Sequence, residues 1–342
     1  MSDPALDDLP QRARRALRRR WPSAELRDLR ALHGGISSLT FSAALTATGA
    51  AAAPVVIKVA PPGLAPVRNR DVLRQARVMA AVHGAPGVAV PAVLAQDDET
   101  PPFFVMEFVP GEAYEPKWDL SDAPPPPTMV ASRARAAARM LARLQAIDPV
   151  AVGLGAEAAL SPAAELDRWA QLFATVGDEL RGNETELRDA LAGRIPVAAP
   201  ARILHGDYRL GNMQFAGDRL AAIIDWEIWS LGDPRGDLAW LMLFTDPVQQ
   251  RVAERDPANQ AAADAMPDAD TLLAHYLDAA GETETPADLA WFRALSCYKL
   301  GATVMAIAKR NRRQARPDPS LELAAVTTPP LLARGLERLA GR

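Results

Sequence analysis

Two short apolar runs enclose a polar loop in the middle of this sequence, and their spacing limits the folds available to the chain. Residues 203–215 read ILHGDYRLGNMQF, a turn AGD follows, and residues 220–227 read LAAIIDWE. Asp207 and Asn212 thus come just before a short strand, and a second strand returns towards them and ends at Asp225. If these strands pair as a hairpin, the three polar side chains meet at one end of it. The sequence therefore predicts a polar site beside a central β-hairpin.

These residue types suit phosphoryl transfer. The carboxylate and amide oxygens of Asp225 and Asn212 are hard ligands of the kind that Mg²⁺ prefers. Asp207 is then available to orient an attacking hydroxyl and to accept its proton. Phosphoryl transfer also needs a cation on the phosphate chain. Lys58 is the candidate, because it lies in the β-branched strand PVVIKVA and only four of the 38 basic residues in the chain are lysines.

The hydrophobic patterns divide the chain into two parts near residue 110. Before it, strands are predicted at residues 26–32, 39–45, 54–60, 88–96 and 101–109, with one helix at 69–83. The glycine- and serine-rich turn at 33–38 joins the first two strands and is a candidate lid over phosphates. After it, helices are predicted at residues 131–147, 161–176, 182–193, 268–280 and 286–311. The fold class is therefore α+β, with a small antiparallel N-terminal β lobe with one helix (residues 1–109) and a larger, mainly helical C-terminal lobe (residues 110–342).

The order of these features resembles the aminoglycoside phosphotransferase and choline kinase-like family. A glycine-rich hairpin, a strand lysine, a helix and a hinge are followed by H-G-D-x-x-x-x-N and then I-D-W, from about residue 28 to about residue 310. Members of this family are small-molecule kinases with a bilobal, protein-kinase-like fold. The resemblance implies ATP and Mg²⁺ as cofactors and a small-molecule hydroxyl as the acceptor of the γ-phosphoryl group.

The resemblance also implies roles for the polar residues. Asp207 resembles the catalytic base, Asn212 and Asp225 resemble the Mg²⁺ ligands, and Lys58 resembles the lysine that binds the α- and β-phosphates. The remaining matches are cofactor-binding residues of the phosphate-covering loop (Ser37, Ser38) and of the adenine-binding hinge (Glu107, Phe108, Val109), and supporting residues around the site (His205, Arg209, Glu227, Gln75). His205 is interpreted mainly as a structural residue that holds its loop by hydrogen bonds.

One residue departs from the pattern of this fold. The strand lysine usually pairs with a glutamate on the following helix, but here the best-placed residue is Gln75, and no acid follows Asp71 in that helix. A glutamine accepts a hydrogen bond from Lys58 without neutralising its charge. We therefore expect Lys58 either to be held less firmly or to share Asp225 as its charged partner.

Three acceptor classes remain open from the sequence. The residues FFVMEFVPGEAYEP (103–116) and HGDYRLGN resemble the branch associated with acyl-CoA dehydrogenases, in which hydroxyacyl-CoA kinases occur, and this class is preferred. An aminoglycoside or other antibiotic would need many carboxylates, and the candidates are Glu227, Asp233, Glu165, Asp167 and Glu112. Choline, ethanolamine or a sugar is the third class. A nucleotide-binding pseudokinase scaffold is the alternative outside catalysis, although the four matched polar residues argue against it.

Composition narrows the partners and the location. The net charge of −4 creates no global attraction to nucleic acid or to an anionic membrane. The basic amphipathic segment at residues 9–20 is interpreted as a helix with a solvated face, and no apolar run is long enough to span a membrane. The N-terminus lacks the apolar core of a secretory signal, and the single cysteine excludes an intrachain disulfide. We therefore expect a cytoplasmic enzyme without nucleic-acid or membrane partners.

Overall fold

A computed structural model describes residues 6–32, 38–47, 51–65, 67–177, 181–249 and 255–341. Its N-terminal part contains an antiparallel sheet with the strand order β1-β2-β3-β5-β4. These strands are β1 (Glu25–Leu32), β2 (Leu39–Thr46), β3 (Ala53–Val59), β4 (Val93–Asp97) and β5 (Phe103–Glu107). In β3, Lys58 lies opposite Thr40 of β2 and Phe104 of β5, so the lysine occupies the central strand of the sheet.

The two faces of this sheet pack against different partners. Helix α1 (Leu9–Arg18) covers one face, where its apolar residues pack with the alternating residues Val55, Ile57 and Val59 of β3. Helix α2 (Val72–Val82) covers the other face and belongs to the larger core that continues into the helical part. Because neighbouring residues of a strand point to opposite faces, Lys58 points away from α1.

The C-terminal part is built around helix α9 (Leu289–Asn311), which is buried along most of its length. The other helices are α3 (Pro127–Gln145), α4 (Pro162–Ala174), α5 (Glu184–Ala192), α6 (Arg235–Leu243), α7 (Pro257–Asp264), α8 (Ala269–Ala280), α10 (Pro319–Val326) and α11 (Thr328–Leu339). Strand β10 (Ser230–Gly232) pairs with β6 (Ala159–Leu160) and β7 (Arg202–Leu204). Strands β8 (Met213–Ala216) and β9 (Arg219–Ile223) form the central hairpin, whose turn contains Gly217 at φ +64°.

The predicted α+β fold class is confirmed, and the long helices fall within a few residues of their predicted bounds. The predicted strand at 88–96 is shorter in the structure and starts only at Val93, because Pro91 lacks the N–H that a paired strand requires. Helices α6, α7, α10 and α11 were not predicted. The apolar residues of α6 surround the helix instead of forming one stripe, so periodicity does not reveal it. We propose residues 1–109 and 110–342 as the two lobes.

Two arginines of α1 form polar contacts with residues at and just after the end of β4. Arg12 is buried and donates to Asp97 and to the Glu99 carbonyl, and Arg15 forms an ion pair with Glu99. The apolar side of α1 thus packs against the β sheet, and two of its arginines bind acidic or carbonyl groups of the same chain. Across the described ranges, we find no helix that is both long and apolar enough to pass through a membrane.

Candidate active site

The central hairpin brings three predicted site residues to one of its ends. Met213 lies opposite Ile223, and the Ile224 amide donates to the Asn212 carbonyl at 2.9 Å, so Asp225 leaves the hairpin beside Asn212. The Asn212 side-chain amide donates to Asp207 Oδ2 at 2.7 Å and to the Asp207 carbonyl at 2.9 Å. Asp207, Asn212 and Asp225 therefore converge although 18 positions separate the first from the last.

Asp207 is held by hydrogen bonds on both carboxylate oxygens. Its Oδ1 accepts the indole N–H of Trp240 at 2.9 Å, and its Oδ2 also accepts from Arg209 Nε at 3.3 Å. Burial by itself raises the pKa of the Asp207 carboxyl, but the positive charges of Arg209 and Lys299 and the hydrogen bond from Asn212 act in the opposite direction, and the net effect is a lowered pKa. The carboxylate is thus ionised and oriented, and its side chain stays 27% exposed for contact with an acceptor.

A buried scaffold holds the loop that carries Asp207. His205 is fully buried, its Nδ1 accepts the Asp207 amide at 3.2 Å, and its Nε2 lies 2.8 Å from the Ile224 carbonyl. These partners assign the neutral tautomer with the proton on Nε2. The Asp237 carboxylate accepts the His205 and Gly206 amides at 2.6 and 3.0 Å. His205 therefore connects the loop to the hairpin, which agrees with a structural role.

Gly206 cannot carry a side chain at this point of the loop. Its φ is +86°, and a Cβ would lie 2.5 Å from the Ile228 carbonyl oxygen. We expect Gly206→Ala to lower the free energy of unfolding by at least ~2 kcal/mol, because the backbone strain and the backbone clash add. Chemical denaturation measures this change.

Gly217→Ala is the matched control for Gly206→Ala. Gly217 also has a positive φ, +64°, but a Cβ there meets no atom within 4 Å. We expect a loss of about 1 kcal/mol, the cost of the left-handed backbone alone. Equal losses in the two variants would contradict a clash at Gly206.

Lys58 is paired with Asp225 across the two parts of the chain. Its Nζ lies 2.7 Å from Asp225 Oδ1 and 3.5 Å from Gln75 Oε1. The buried Gln75 side chain also donates to the Asn69 carbonyl at 3.3 Å. Asp225 thus supplies the charge that Gln75 lacks, and Gln75 contributes only a long hydrogen bond. Asp225 itself has a φ of +64°, a conformation that aspartate adopts more readily than most side chains.

Asn212 and Asp225 fit the oxygen-donor set of a divalent cation. The Asn212 side chain forms its two hydrogen bonds to Asp207 through the amide nitrogen, so its oxygen is the atom that would act as a metal ligand. The Asp225 carboxylate is 40% exposed. Among the described residues, no group of three or more His, Cys, Asp or Glu side chains clusters as a metal site. A mixed set of one amide oxygen, one carboxylate and phosphate oxygens is what Mg²⁺ commonly uses.

The residues predicted to contact the nucleotide lie along the sheet. Ser38 is buried just before β2, whereas Ser37 and most of the predicted lid fall outside the described residues. Glu107 ends β5 and is followed by Phe108, whose ring is exposed, and by Val109. The Glu107 amide donates to the Ala92 carbonyl at 2.9 Å. This segment leads directly from the sheet into the helical part.

Two residues beside Asp207 were missed by sequence analysis. Trp240 of α6 donates to Asp207, and Lys299 of α9 donates to the Gly206 carbonyl while its Nζ lies 4.1 Å from the Trp240 ring centre. Burial lowers the pKa of Lys299, and the carboxylates around it oppose this effect. The scarcity of lysines could have drawn attention to Lys299. Its contact with Gly206 could not be predicted, because the two residues are far apart in the sequence. Glu227 lies half-buried in the turn after Asp225.

A cavity of about 40 Å³ lies next to this loop. Its walls come from α4, α9, β10 and the loop, and Gly206 belongs to the lining while Asp207 does not. The apolar walls include Trp169, Phe292 and Leu295, and the charged residues of the lining are Glu165, Arg168, Asp233, Asp237 and Lys299. The cavity therefore combines a small apolar space with charged side chains of both signs beside the loop that carries Asp207.

The fold and this constellation of residues define a small-molecule kinase with a protein-kinase-like fold. The chain belongs to the phosphotransferase enzyme family, whose family model matches residues 28–292. A Ralstonia eutropha protein described as an aminoglycoside phosphotransferase has a similar structure, with a TM-score of 0.70, 24% identity and 92% coverage of both chains. A mutant of aminoglycoside phosphotransferase APH(4)-Ia, crystallised with ADP and hygromycin B, matches with a TM-score of 0.58 at 13% identity, covering 93% of this chain and 97% of that one.

Sequence similarity also extends to a much longer protein. Acyl-CoA dehydrogenase family member 10 of Mus musculus is 27% identical over 198 residues. The match covers 55% of this chain but only 18% of the mouse protein. This chain thus corresponds to a small part of that relative.

Proposed function

We propose that this protein transfers the γ-phosphoryl group of ATP to a hydroxyl of a small acyl thioester, a hydroxyacyl-CoA-like metabolite. The observation that carries the phosphoryl transfer is the convergence of Asp207, Asn212 and the Lys58–Asp225 pair at one end of the hairpin. The solved structures with ADP support nucleotide binding by this fold. The acceptor class rests on separate arguments, given below.

The proposed mechanism assigns one task to each side chain. Asp207 accepts a hydrogen bond from the acceptor hydroxyl, orients its oxygen towards the γ-phosphorus and takes the hydroxyl proton as the new O–P bond forms. The bond from the γ-phosphorus to the bridging oxygen breaks, and ADP leaves with that electron pair. Lys58 binds the phosphate chain of the nucleotide. Asn212 and Asp225 would hold Mg²⁺, which when bound neutralises phosphate charge.

The charges beside the loop disfavour a polycationic acceptor. Asp233 forms a buried pair with Arg235 at 2.6 Å, and Glu165 accepts the Trp169 indole N–H at 2.7 Å. Asp237 is occupied by the two loop amides described above. Arg168 forms an ion pair with Glu165 at 3.5 Å, and Lys299 lines the same cavity. An aminoglycoside would thus find these carboxylates already engaged by protein groups, whereas a neutral or anionic acceptor does not need them.

The relative named for acyl-CoA dehydrogenase makes acyl thioesters the first class to test. The apolar walls formed by Trp169, Phe292 and Leu295 suit a short acyl chain better than a sugar.

The test is ADP release from ATP and Mg²⁺ across hydroxyacyl-CoAs, aminoglycosides, macrolides, choline and sugars. We expect turnover above the water background only with hydroxyacyl-CoAs, and we expect Asp207→Ala to abolish it. Turnover with an aminoglycoside alone would overturn the acceptor class. Binding of ATP without turnover of any acceptor would favour a pseudokinase.

A further inference from the structure

A glutamate outside the H-G-D-x-x-x-x-N and I-D-W motifs lies buried against the loop that carries Asp207. This residue, Glu115, belongs to the segment 103–116 between the two proposed lobes and is 0% exposed. Its Oε2 accepts the Gly211 amide at 3.1 Å, whereas its Oε1 is buried without a hydrogen-bond partner. A buried carboxylate with one unsatisfied oxygen is costly, so its retention beside this loop calls for an explanation.

Arg209 connects this glutamate to the catalytic carboxylate. Its Nη1 lies 3.8 Å from Glu115 Oε2, and its Nε donates to Asp207 Oδ2 at 3.3 Å. The guanidinium also lies over the Trp118 ring, 4.9 Å from its centre. Arg209 is therefore shared between two carboxylates, and the charge on one of them changes how strongly the other attracts it.

We propose that Glu115 is a positioning residue that draws the Arg209 guanidinium away from Asp207, so that the Asp207 carboxylate is presented to the acceptor hydroxyl. This role rests on the proposed function of Asp207 as the base. When Glu115 is charged, it competes for Arg209 and the Asp207 oxygen is a stronger proton acceptor. When Glu115 is protonated, Arg209 pairs with Asp207 alone and weakens it as a base.

The surroundings of Glu115 make this competition depend on pH. Burial raises the pKa of the Glu115 carboxyl to about 7, while Arg209 and the Gly211 amide act in the opposite direction. The other charged groups that face it are Asp119 and Asp207, and both raise its pKa further. Asp119 also accepts the Glu115 backbone amide at 2.7 Å. Most molecules therefore carry a neutral Glu115 at about pH 6 and a charged Glu115 at about pH 8.5.

Glu115→Gln fixes the neutral form with little change of shape. The probe reaction is hydrolysis of Mg·ATP with water as acceptor, followed by ADP release. We expect wild type and variant to have similar kcat at about pH 6 and the variant to be slower by up to about tenfold at about pH 8.5, because Arg209 then pairs with Asp207 alone and weakens it as a proton acceptor. The inflection near pH 7 in the wild type disappears in the variant, and KM for ATP is unchanged.

Glu184→Gln is the matched control. Glu184 is also buried, accepts the Tyr298 hydroxyl at 2.8 Å and lies 3.9 Å from an arginine, but it is placed on α5 away from the loop. We expect it to keep the wild-type pH profile. A Glu115→Gln profile that retains the inflection, or that is lowered equally at both pH values, would overturn the positioning role.

A second measurement does not depend on kinase activity. Urea unfolding of Glu115→Gln, Arg209→Met and the double variant at about pH 8.5 should be non-additive by about tenfold in the unfolding equilibrium constant. Additive effects would overturn the proposal even if ATP hydrolysis behaves as expected. The proposed function fails only if no hydroxyl acceptor is turned over, whether or not water accepts the phosphoryl group, and additivity in this cycle then decides separately whether Glu115 holds Arg209.

Discussion

Asp207→Ala should lower kcat about 1,000-fold, within the range attributed to a positioned general base. Removing the carboxylate leaves the acceptor hydroxyl without its proton acceptor and without the group that aims it. The affinity for ATP should change less than about threefold, because Lys58 and Asp225 form their own pair apart from Asp207. Steady-state kinetics and calorimetric titration with a non-hydrolysable ATP analogue measure the two quantities.

Asp218→Ala provides a matched aspartate control. Asp218 lies in the turn at the opposite end of the same hairpin, where it accepts from Ser132 at 3.2 Å. We expect wild-type kcat in this variant. A wild-type turnover in Asp207→Ala as well would remove Asp207 from the role of base.

The pH dependence of kcat is an independent test of Asp207 as the general base. The net lowering of the Asp207 pKa means that the base remains ionised below the ordinary range of a carboxyl group. Protonation of Asp207 therefore contributes nothing to the rate between roughly pH 5 and pH 9. If kcat falls towards low pH with a midpoint near neutral pH, we assign that fall to protonation of Glu115. It should then be absent in Glu115→Gln, and its persistence in that variant would assign it to another group.

Local sequence patterns predicted the elements that hold the site. The β-branched residues around Lys58 placed it on a strand, the glycine-containing turn defined the hairpin, and the motif spacing brought Asn212 and Asp225 to the same end of it. Such features are encoded within a few residues of one another. The preferences of the backbone and the burial of one strand face are enough to specify them.

Contacts between segments that are distant in sequence could not be predicted from local patterns. Trp240 and Lys299 lie in helices that reach Asp207 only through the packing of α6 and α9. Sequence analysis assigned no role to Glu115, because its burial is a property of the assembled fold. Residue type and spacing along the chain do not indicate which distant side chains contact the loop that carries Asp207.

The Gln75 substitution shows how structure decides between sequence-based alternatives. The sequence left two possibilities for Lys58, a looser lysine or a shared Asp225. In the structure, Lys58 lies closer to Asp225 than to Gln75 by 0.8 Å, the difference between 3.5 and 2.7 Å. The charge balance of the strand lysine thus depends on a residue 167 positions away along the chain.

This dependence makes Asp225→Ala the second variant with a large expected effect. We expect the affinity for the ATP analogue in the presence of Mg²⁺ to fall about 100-fold or more, since even partners outside the ligand set commonly change metal affinity by 10- to 100-fold. The variant loses a proposed metal ligand and also the ion-pair partner of Lys58. Titrations with and without Mg²⁺ should become nearly identical, because the metal can no longer improve nucleotide binding.

Asp225→Asn separates charge from backbone strain in this experiment. Asparagine adopts the positive φ of residue 225 readily, so it keeps the backbone while it removes the negative charge. If Asp225 acts through its charge, both variants lose Mg²⁺-dependent binding, and Asp28→Asn, at another aspartate with positive φ but in strand β1, retains it. Retained Mg²⁺ dependence in Asp225→Asn alone would mean that an oxygen ligand without charge is enough at this position. Retained Mg²⁺ dependence in Asp225→Ala as well would mean that the carboxylate serves Lys58 alone.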